Sequence, residues 1–190
     1  MRFRKLTMRE LNRLSVEEAL RTGKISLSLV LDDIRSANNV GSLFRTADAL
    51  GLNHLYLCGI TATPPHRDIL KTALGATQSV AWSHHESCLD LVRELRGGGA
   101  QVHCLEQTEN STALREFTVD PGRELVLVVG NEVKGVSQEV IEAGHGTIEI
   151  EQFGSKHSLN VAVSAGMAVW ELARQYRGLE AHPEAEPDLP

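Results

Sequence analysis

Three short stretches of this chain gather amides, hydroxyls, a carboxylate and an arginine around glycines. "NNVGSLFRTA" supplies Asn38, Asn39, Gly41 and Ser42, and then Arg45 six residues after Asn39. "LVVGNEVKGVS" supplies Gly130, Asn131 and Glu132, with Gly135 close behind. "EQFGSKHSLNVAVSAGMAVWELARQY", residues 151–176, runs from a polar loop with Gly154, Ser155, Ser158 and Asn160 directly into an apolar segment. The first stretch reads as a polar turn opening a helix, whose free N–H groups suit an anion, with Arg45 one turn in. In the second, a glycine at the end of an apolar run lets a ligand approach the backbone. The carboxylate after it can accept hydrogen bonds from backbone N–H groups or from a ligand. Taken singly, each stretch is also what an ordinary helix cap or glycine turn requires.

Other chemistries are not written here. GxGxxG and Walker A patterns are absent, and "RGGGAQ" precedes a strand where a phosphate loop would follow one. Cys58, Cys88 and Cys104 have no CxxC spacing and read as reduced, buried thiols. His84 and His85 lack a third ligand at a metal spacing and read as surface residues, so no metal is expected. No serine or cysteine triad is recognisable. The apolar run at 158–170 is shorter than the roughly 18 residues of a membrane span. The opening residues carry charges without the apolar core of a secretory signal, which points to the cytoplasm.

The elements that must carry these residues alternate. "ISLSLVLDDI", "HLYLCGI", "SVAW", "AQVHCLE", "ELVLVVG" and "TIEI" read as strands. "SLFRTADALG", "SCLDLVRELRGG", "VSQEVIEAG" and residues 158–176 read as helices, the first stopped by Gly51. Thr7 with Glu10, and Ser15 with Glu18, fit capping boxes and predict two short helices over 7–22. This alternation predicts an α/β fold, a mostly parallel sheet with helices on both faces. Ligands bind at the strands' carboxyl ends in such sheets, which is where the loaded stretches fall. In the last helix Ser158 is the expected cap, and Val161 to Val169 are apolar around the whole circumference. Such a helix is buried on all sides, so it is expected between its own sheet and a second subunit.

Net charge is −6, with 42% hydrophobic and 23% charged residues over 190 positions, an ordinary globular composition for one domain. The charge is unevenly spread. Arg2, Arg4, Lys5, Arg9 and Arg13 face only Glu10 in residues 1–13, while the end of the chain is acidic and proline-rich. The pattern predicts a basic helical extension over 1–24, a domain over 25–177 and an acidic disordered tail over 178–190. The basic arm is either an RNA grip or a solvated helix face.

In order and spacing, the three stretches together resemble the SpoU (TrmH-like) family of RNA ribose 2′-O-methyltransferases, in the SPOUT superfamily. The matching residues are Asn39-x-Gly41-Ser42-x-x-Arg45-Thr46-Ala47, Gly130-Asn131-Glu132 with Gly135, and Ile150 through Gly154 to Ser158-Leu159-Asn160-Val161. The resemblance implies a C-terminal deep trefoil knot, a rare exception to unthreaded topology. It also implies S-adenosylmethionine held near Leu105, Gly130, Ile150 and Leu159, and a homodimer through the last helix. Asn39, Arg45, Glu132, Ser158 and Asn160 match the catalytic set. Arg2, Arg4, Lys5, Arg9 and Arg13 become candidates for RNA binding, helped by Arg67 and Lys71.

Two departures bear on the site. Val133 and Lys134 stand where the family often has glycine, which leaves the loop's shape open. Glu151 and Gln152 stand where it often has Pro-Met, which leaves the adenine pocket open. The implied activity is transfer of a methyl group to a ribose 2′-hydroxyl in structured RNA, with tRNA favoured over rRNA. The alternatives are a base methyltransferase on the same fold, against which Ser158-Leu159-Asn160 argues, and a knotted RNA-binding domain without turnover.

Overall fold

The computed structural model describes residues 3–7, 10–11, 14–155 and 158–179. Among these residues, seven strands form one all-parallel sheet: β1 (Leu27–Asp32), β2 (Leu55–Cys58), β3 (Trp82–His85), β4 (Gln101–Leu105), β5 (Thr112–Ala113), β6 (Leu125–Val129) and β7 (Gly146–Glu149). The helices are α1 (Val16–Arg21), α2 (Ala37–Leu50), α3 (Arg67–Ala73), α4 (Cys88–Gly97), α5 (Gln138–Ala143) and α6 (Val161–Tyr176). All six β1 residues and all five β6 residues are buried, as central strands covered on both faces must be.

Alternation along the strands divides the core in two. Leu27, Leu29 and Leu31 of β1 point to one face, where Leu43 and Phe44 of α2, Ile69 of α3 and Val169 and Leu172 of α6 meet them. Val30, Val126 and Val128 point to the other, against Leu91 and Val92 of α4 and Val140 of α5. Cys58, Cys88 and Cys104 lie in this second core as free, buried thiols.

Strand order is β3-β2-β1-β6-β4-β7-β5. From β1 the chain builds outward through β2 and β3, then returns to the other side of β1 for the remaining strands. The direction of winding therefore reverses between β1 and β6. At such a reversal the loops leaving adjacent strands diverge and open a crevice at the carboxyl ends.

Several local expectations need correction. α2 starts at Ala37, because Ser36 caps it by accepting from Asn39 N–H at 3.3 Å. The polar residues Asn38 and Asn39 are thus helical, and Arg45 lies more than two turns in, not one. Asn160, not Ser158, caps α6, its Oδ1 accepting from Ala162 N–H at 2.9 Å and Val163 N–H at 3.3 Å. β3 starts at Trp82 because a 3-10 turn takes up Ala76–Gln78 just upstream. The two-residue strand β5 has no counterpart among the expected strands. At the N-terminus the Ser15–Glu18 capping box opens α1, and Glu10 accepts from Thr7 N–H at 2.7 Å, while the first of the two expected helices falls partly outside the described residues. Gly51 ends α2 at φ 71°, as expected of its terminal glycine.

Candidate active site

The crevice between β1 and β6 is closed by side chains of the three loaded stretches. Glu132, on the loop after β6, faces the start of α2. Its Oε2 accepts from Arg35 N–H at 2.9 Å. Its Oε1 accepts from Ser36 N–H at 3.0 Å and from Asn39 Nδ2 at 2.9 Å. Burial alone would raise this carboxyl, but the bonds from Arg35, Asn39 and Ser36 outweigh it and hold Glu132 below its ordinary 4.5. It is a structural anion at neutral pH, and it occupies the helix N-terminus that would otherwise suit a bound anion. Asn39 passes the contact on: its Oδ1 accepts from Asn160 Nδ2 at 3.3 Å. A single polar line thus runs from α6 through α2 to the β6 loop.

Asn131 shapes that loop. Its Nδ2 donates to Asp33 O at 2.8 Å, across the β1–β6 gap, and its Oδ1 accepts from Val133 and Lys134 N–H at 3.0 and 3.1 Å. Those backbone donors are available from any non-proline residue, and the Val133 side chain stands out in solvent. The loop therefore closes without the glycine often found there. Gly135 supplies the one left-handed turn, at φ 68°.

Next to this line lies a cavity of about 350 Å³ whose lining includes Leu105, Gly130, Glu132, Ile150, Ser158 and Leu159. All four residues expected at a cofactor thus border one space, at the carboxyl ends of β4, β6 and β7. Gly130 has a reason for being glycine besides ligand approach. A Cβ there would run into the backbone of Gly135 and Val136, within the chain itself. Glu106, at the end of β4, is a site residue that the motifs did not mark. Its Oε1 accepts from Gln107 N–H and its Oε2 from Val136 N–H, each at 3.0 Å, fastening the β6 loop to β4. An acid immediately after a strand, opposite a glycine loop, was the available signal.

Other expected residues fall elsewhere. Ser158 is exposed at the cavity's edge. Arg45 is exposed, and its side chain makes no hydrogen bond or ion pair among the described residues. It lies about 9 Å along the helix axis from Asn39 and about 120° round it. In the arm, Arg4 is committed to Glu10, at 2.7 Å, and Lys5 is exposed. Arg2, Arg9 and Arg13, with the tail from residue 180, lie outside the described residues. No helix among the described residues is long and apolar enough to cross a membrane.

Comparison with known proteins decides the family. The model of the SpoU rRNA methylase family matches residues 26–170, the sheet and every helix from α2 to most of α6. The chain belongs to the SpoU rRNA methylase family. A relative from Thermus thermophilus, a tRNA (guanosine(18)-2′-O)-methyltransferase, is 29% identical over 182 residues, which is 95% of this chain and 92% of that one. Among solved structures, the Aquifex aeolicus TrmH/SpoU tRNA modifying enzyme superposes with a TM-score of 0.76 at 28% identity, over 86% of this chain and 82% of that one. An AdoMet-bound rRNA methyltransferase from Sinorhizobium meliloti does so with 0.72 at 29%, over 84% and 58%. In this SpoU chain the polar line draws on all three stretches, and the cavity beside it on the second and third.

Proposed function

We propose that this SpoU protein transfers a methyl group from S-adenosylmethionine to a ribose 2′-hydroxyl of structured RNA, with tRNA favoured over rRNA. The observation that carries this is the Asn160–Asn39–Glu132 line set against the cavity bordered by Leu105, Gly130, Ile150 and Leu159. Family membership, a tRNA 2′-O-methyltransferase relative and an AdoMet-bound structural neighbour support it.

The cavity's chemistry fits the cofactor. About 350 Å³ is within the roughly 300–1,000 Å³ of small-molecule sites. Leu105, Ile150 and Leu159 offer apolar wall for an adenine, and Glu106, Glu132 and Glu149 put carboxylates where the sulfonium and ammonium of the methionine moiety could lie. When bound, the cofactor supplies an electrophilic methyl group on a sulfonium. The protein's own work is positional. Asn39 and Asn160 are held by one another and by Glu132, so a ribose at their end of α2 meets fixed dipoles. Glu132 accepts three hydrogen bonds and is not free to take a proton. Arg45 brings a planar fork of hydrogen-bond donors. With its backbone about 9 Å further along α2, its long side chain suits a phosphate of the same nucleotide, or the developing alkoxide if the ribose lies across the helix.

Assembly as a homodimer through α6, and a trefoil knot in the C-terminal part of the sheet, belong to the same reading. For the dimer the support is the outer stripe of α6, where Val163, Met167 and Trp170 are 53%, 46% and 57% exposed. Phe153, 94% exposed, borders the same apolar groove with Leu114. A cytoplasmic location goes with the RNA substrate. The test is incubation with labelled S-adenosylmethionine and unmodified tRNA or rRNA, followed by mapping of 2′-O-methyl positions. Label recovered on a base would favour the base-methylating alternative. Cofactor binding without turnover on either RNA would favour the binding domain.

A further inference from the structure

Beside α2 lies a surface that none of the three stretches uses. α3 buries Ile69 and Ala73 against the core. Its opposite face carries Arg67, Leu70, Lys71 and Leu74, at the i, i+3, i+4, i+7 positions of one stripe. Leu70 is 44% and Leu74 67% exposed. Neither Arg67 nor Lys71 forms an ion pair among the described residues. The acid of this helix, Asp68, sits in the first turn.

Leu74 is also strained. It ends α3 in the left-handed region, φ 50° and ψ 41°, where a leucine Cβ crowds its own carbonyl. Glycine, the residue that avoids this, stands one position later. An exposed leucine in a disfavoured backbone contributes nothing to the core, and the core does not account for it.

The stripe is adjacent to Arg45. Gly41 of α2 lies against Ile69 and Thr72, and Thr72 Oγ1 donates to Asn38 O at 3.1 Å. Further along the same face of α2, Asp48 Oδ1 accepts from Ser79 Oγ at 2.5 Å, just past the 3-10 turn. Arg45 falls between Gly41 and Asp48 on that face. The bend at Leu74 and Gly75 must therefore pass the turn of α2 that carries Arg45.

We infer that the α3 stripe is a second RNA contact, gripping the strand next to the modified nucleotide. Arg67 and Lys71, one turn or about 6 Å apart, meet its phosphates. Leu74 meets the face of an unpaired base between them and Arg45. The assignment rests on the RNA methyltransferase reading. It adds a defined surface and a base contact to that reading.

The experiment uses the full chain, an unmodified tRNA transcript pool and an rRNA fragment pool. Arg67→Glu with Lys71→Glu should raise KM for the RNA at least about tenfold. It should also flatten the salt dependence of binding by about 1.4 in log–log slope, since two phosphates are no longer neutralised. S-adenosylmethionine affinity and kcat should stay near wild type. Leu74→Gly should leave Tm equal or higher, because the left-handed strain is relieved, and still raise KM for RNA by about threefold or more. A structural residue would show the reverse pattern. Unchanged KM and salt slope in active variants, or a Leu74→Gly protein with lower Tm and normal RNA binding, overturns the inference. A wild type that methylates neither pool would instead overturn the functional reading beneath it.

Discussion

Asn160 Nδ2 donates to Asn39 Oδ1 at 3.3 Å, joining the cap of the last helix to the first turn of α2 across 121 residues of sequence. Asn39 in turn donates to Glu132 at 2.9 Å, so its amide has one orientation that satisfies both neighbours. Asn39→Asp would place a carboxylate against Glu132, and Asn39→Ala would take one of Glu132's three bonds and the acceptor of Asn160 Nδ2. Asn39→Ala should lower kcat by about 10²-fold, the scale of a small misplacement in a positioned site. Calorimetric S-adenosylmethionine affinity should hold within a few-fold. An alanine enzyme with normal turnover would detach this line from catalysis.

Glu132 makes the line pH-dependent in a definite direction. Burial pulls its carboxyl up, but the hydrogen bonds from Arg35, Asn39 and Ser36 win and hold the folded pKa below 4.5. A depressed carboxyl contributes stability that is fully present above its unfolded value and is lost as pH falls through the folded one. Wild-type Tm should therefore drop on acidification below about 4.5, the unfolded carboxylate range. Glu132→Gln should remove part of that acid limb while lowering Tm at neutral pH. Parallel Tm-against-pH curves for the two proteins measure it; identical limbs would mean the carboxylate's bonds are not what the acid breaks.

Gly130 separates a cofactor contact from a folding constraint. A side chain there meets the backbone of Gly135 and Val136, which cannot move without opening the loop that Glu106 and Asn131 hold. Gly130→Val should thus lower Tm and S-adenosylmethionine affinity together. Gly154→Ala, at a position with open space around it, should change neither. A Gly130→Val protein with wild-type Tm and lost cofactor binding would favour direct contact with the cofactor over the folding constraint.

The outer face of α6 tests assembly. Ala168 and Val169, apolar in sequence and easily taken for interface, are fully buried in the chain's own core. A glutamate at either buries an unpaired charge at a cost of several kcal/mol, comparable with the whole stability of a domain. Such variants report folding, not dimerisation. Met167→Glu and Trp170→Glu touch only the exposed stripe, and should give folded monomers by sedimentation where wild type is a dimer. A wild-type monomer at micromolar concentration would remove the dimer from the proposal.

Those residues show what was legible in sequence. The continuous apolar run of β6 announced a central strand, and the clustering of Asn39, Glu132 and Asn160 in three motifs announced a shared site. Which apolar residues of α6 face inward was not legible, because a helix apolar all round has no hydrophobic phase to read. The helix starts were misjudged for a related reason. Ser36 and Asn160 are caps, but Ser, Asn and Gly crowd both regions, and any of several could have capped. Glu106 stayed hidden because its partner, the Val136 N–H, is 30 residues away and carries no side-chain signature.

Arg45 poses the sharpest chemical question. It is exposed in the third turn of α2, distant from Asn39 along the axis, and its side chain is bonded to nothing among the described residues. A general base is the less economical role for any arginine, whose guanidinium is a very weak donor of its own lone pairs and a strong hydrogen-bond donor. Arg45→Ala should leave Tm and cofactor affinity intact and reduce methyl transfer by about 10²–10³-fold, the loss on removing one charge-stabilising donor. Arg45→Lys separates the roles. Lysine retains the charge but loses the planar fork, and its pKa is about 10.4. As a phosphate clamp, lysine should recover part of the activity with the wild-type pH profile and a raised KM for RNA. As a base, it should show a rate limb rising with pH as the ammonium deprotonates. A pH–rate profile of the lysine enzyme at saturating RNA therefore decides between them, and full activity in Arg45→Ala would remove the residue from the mechanism.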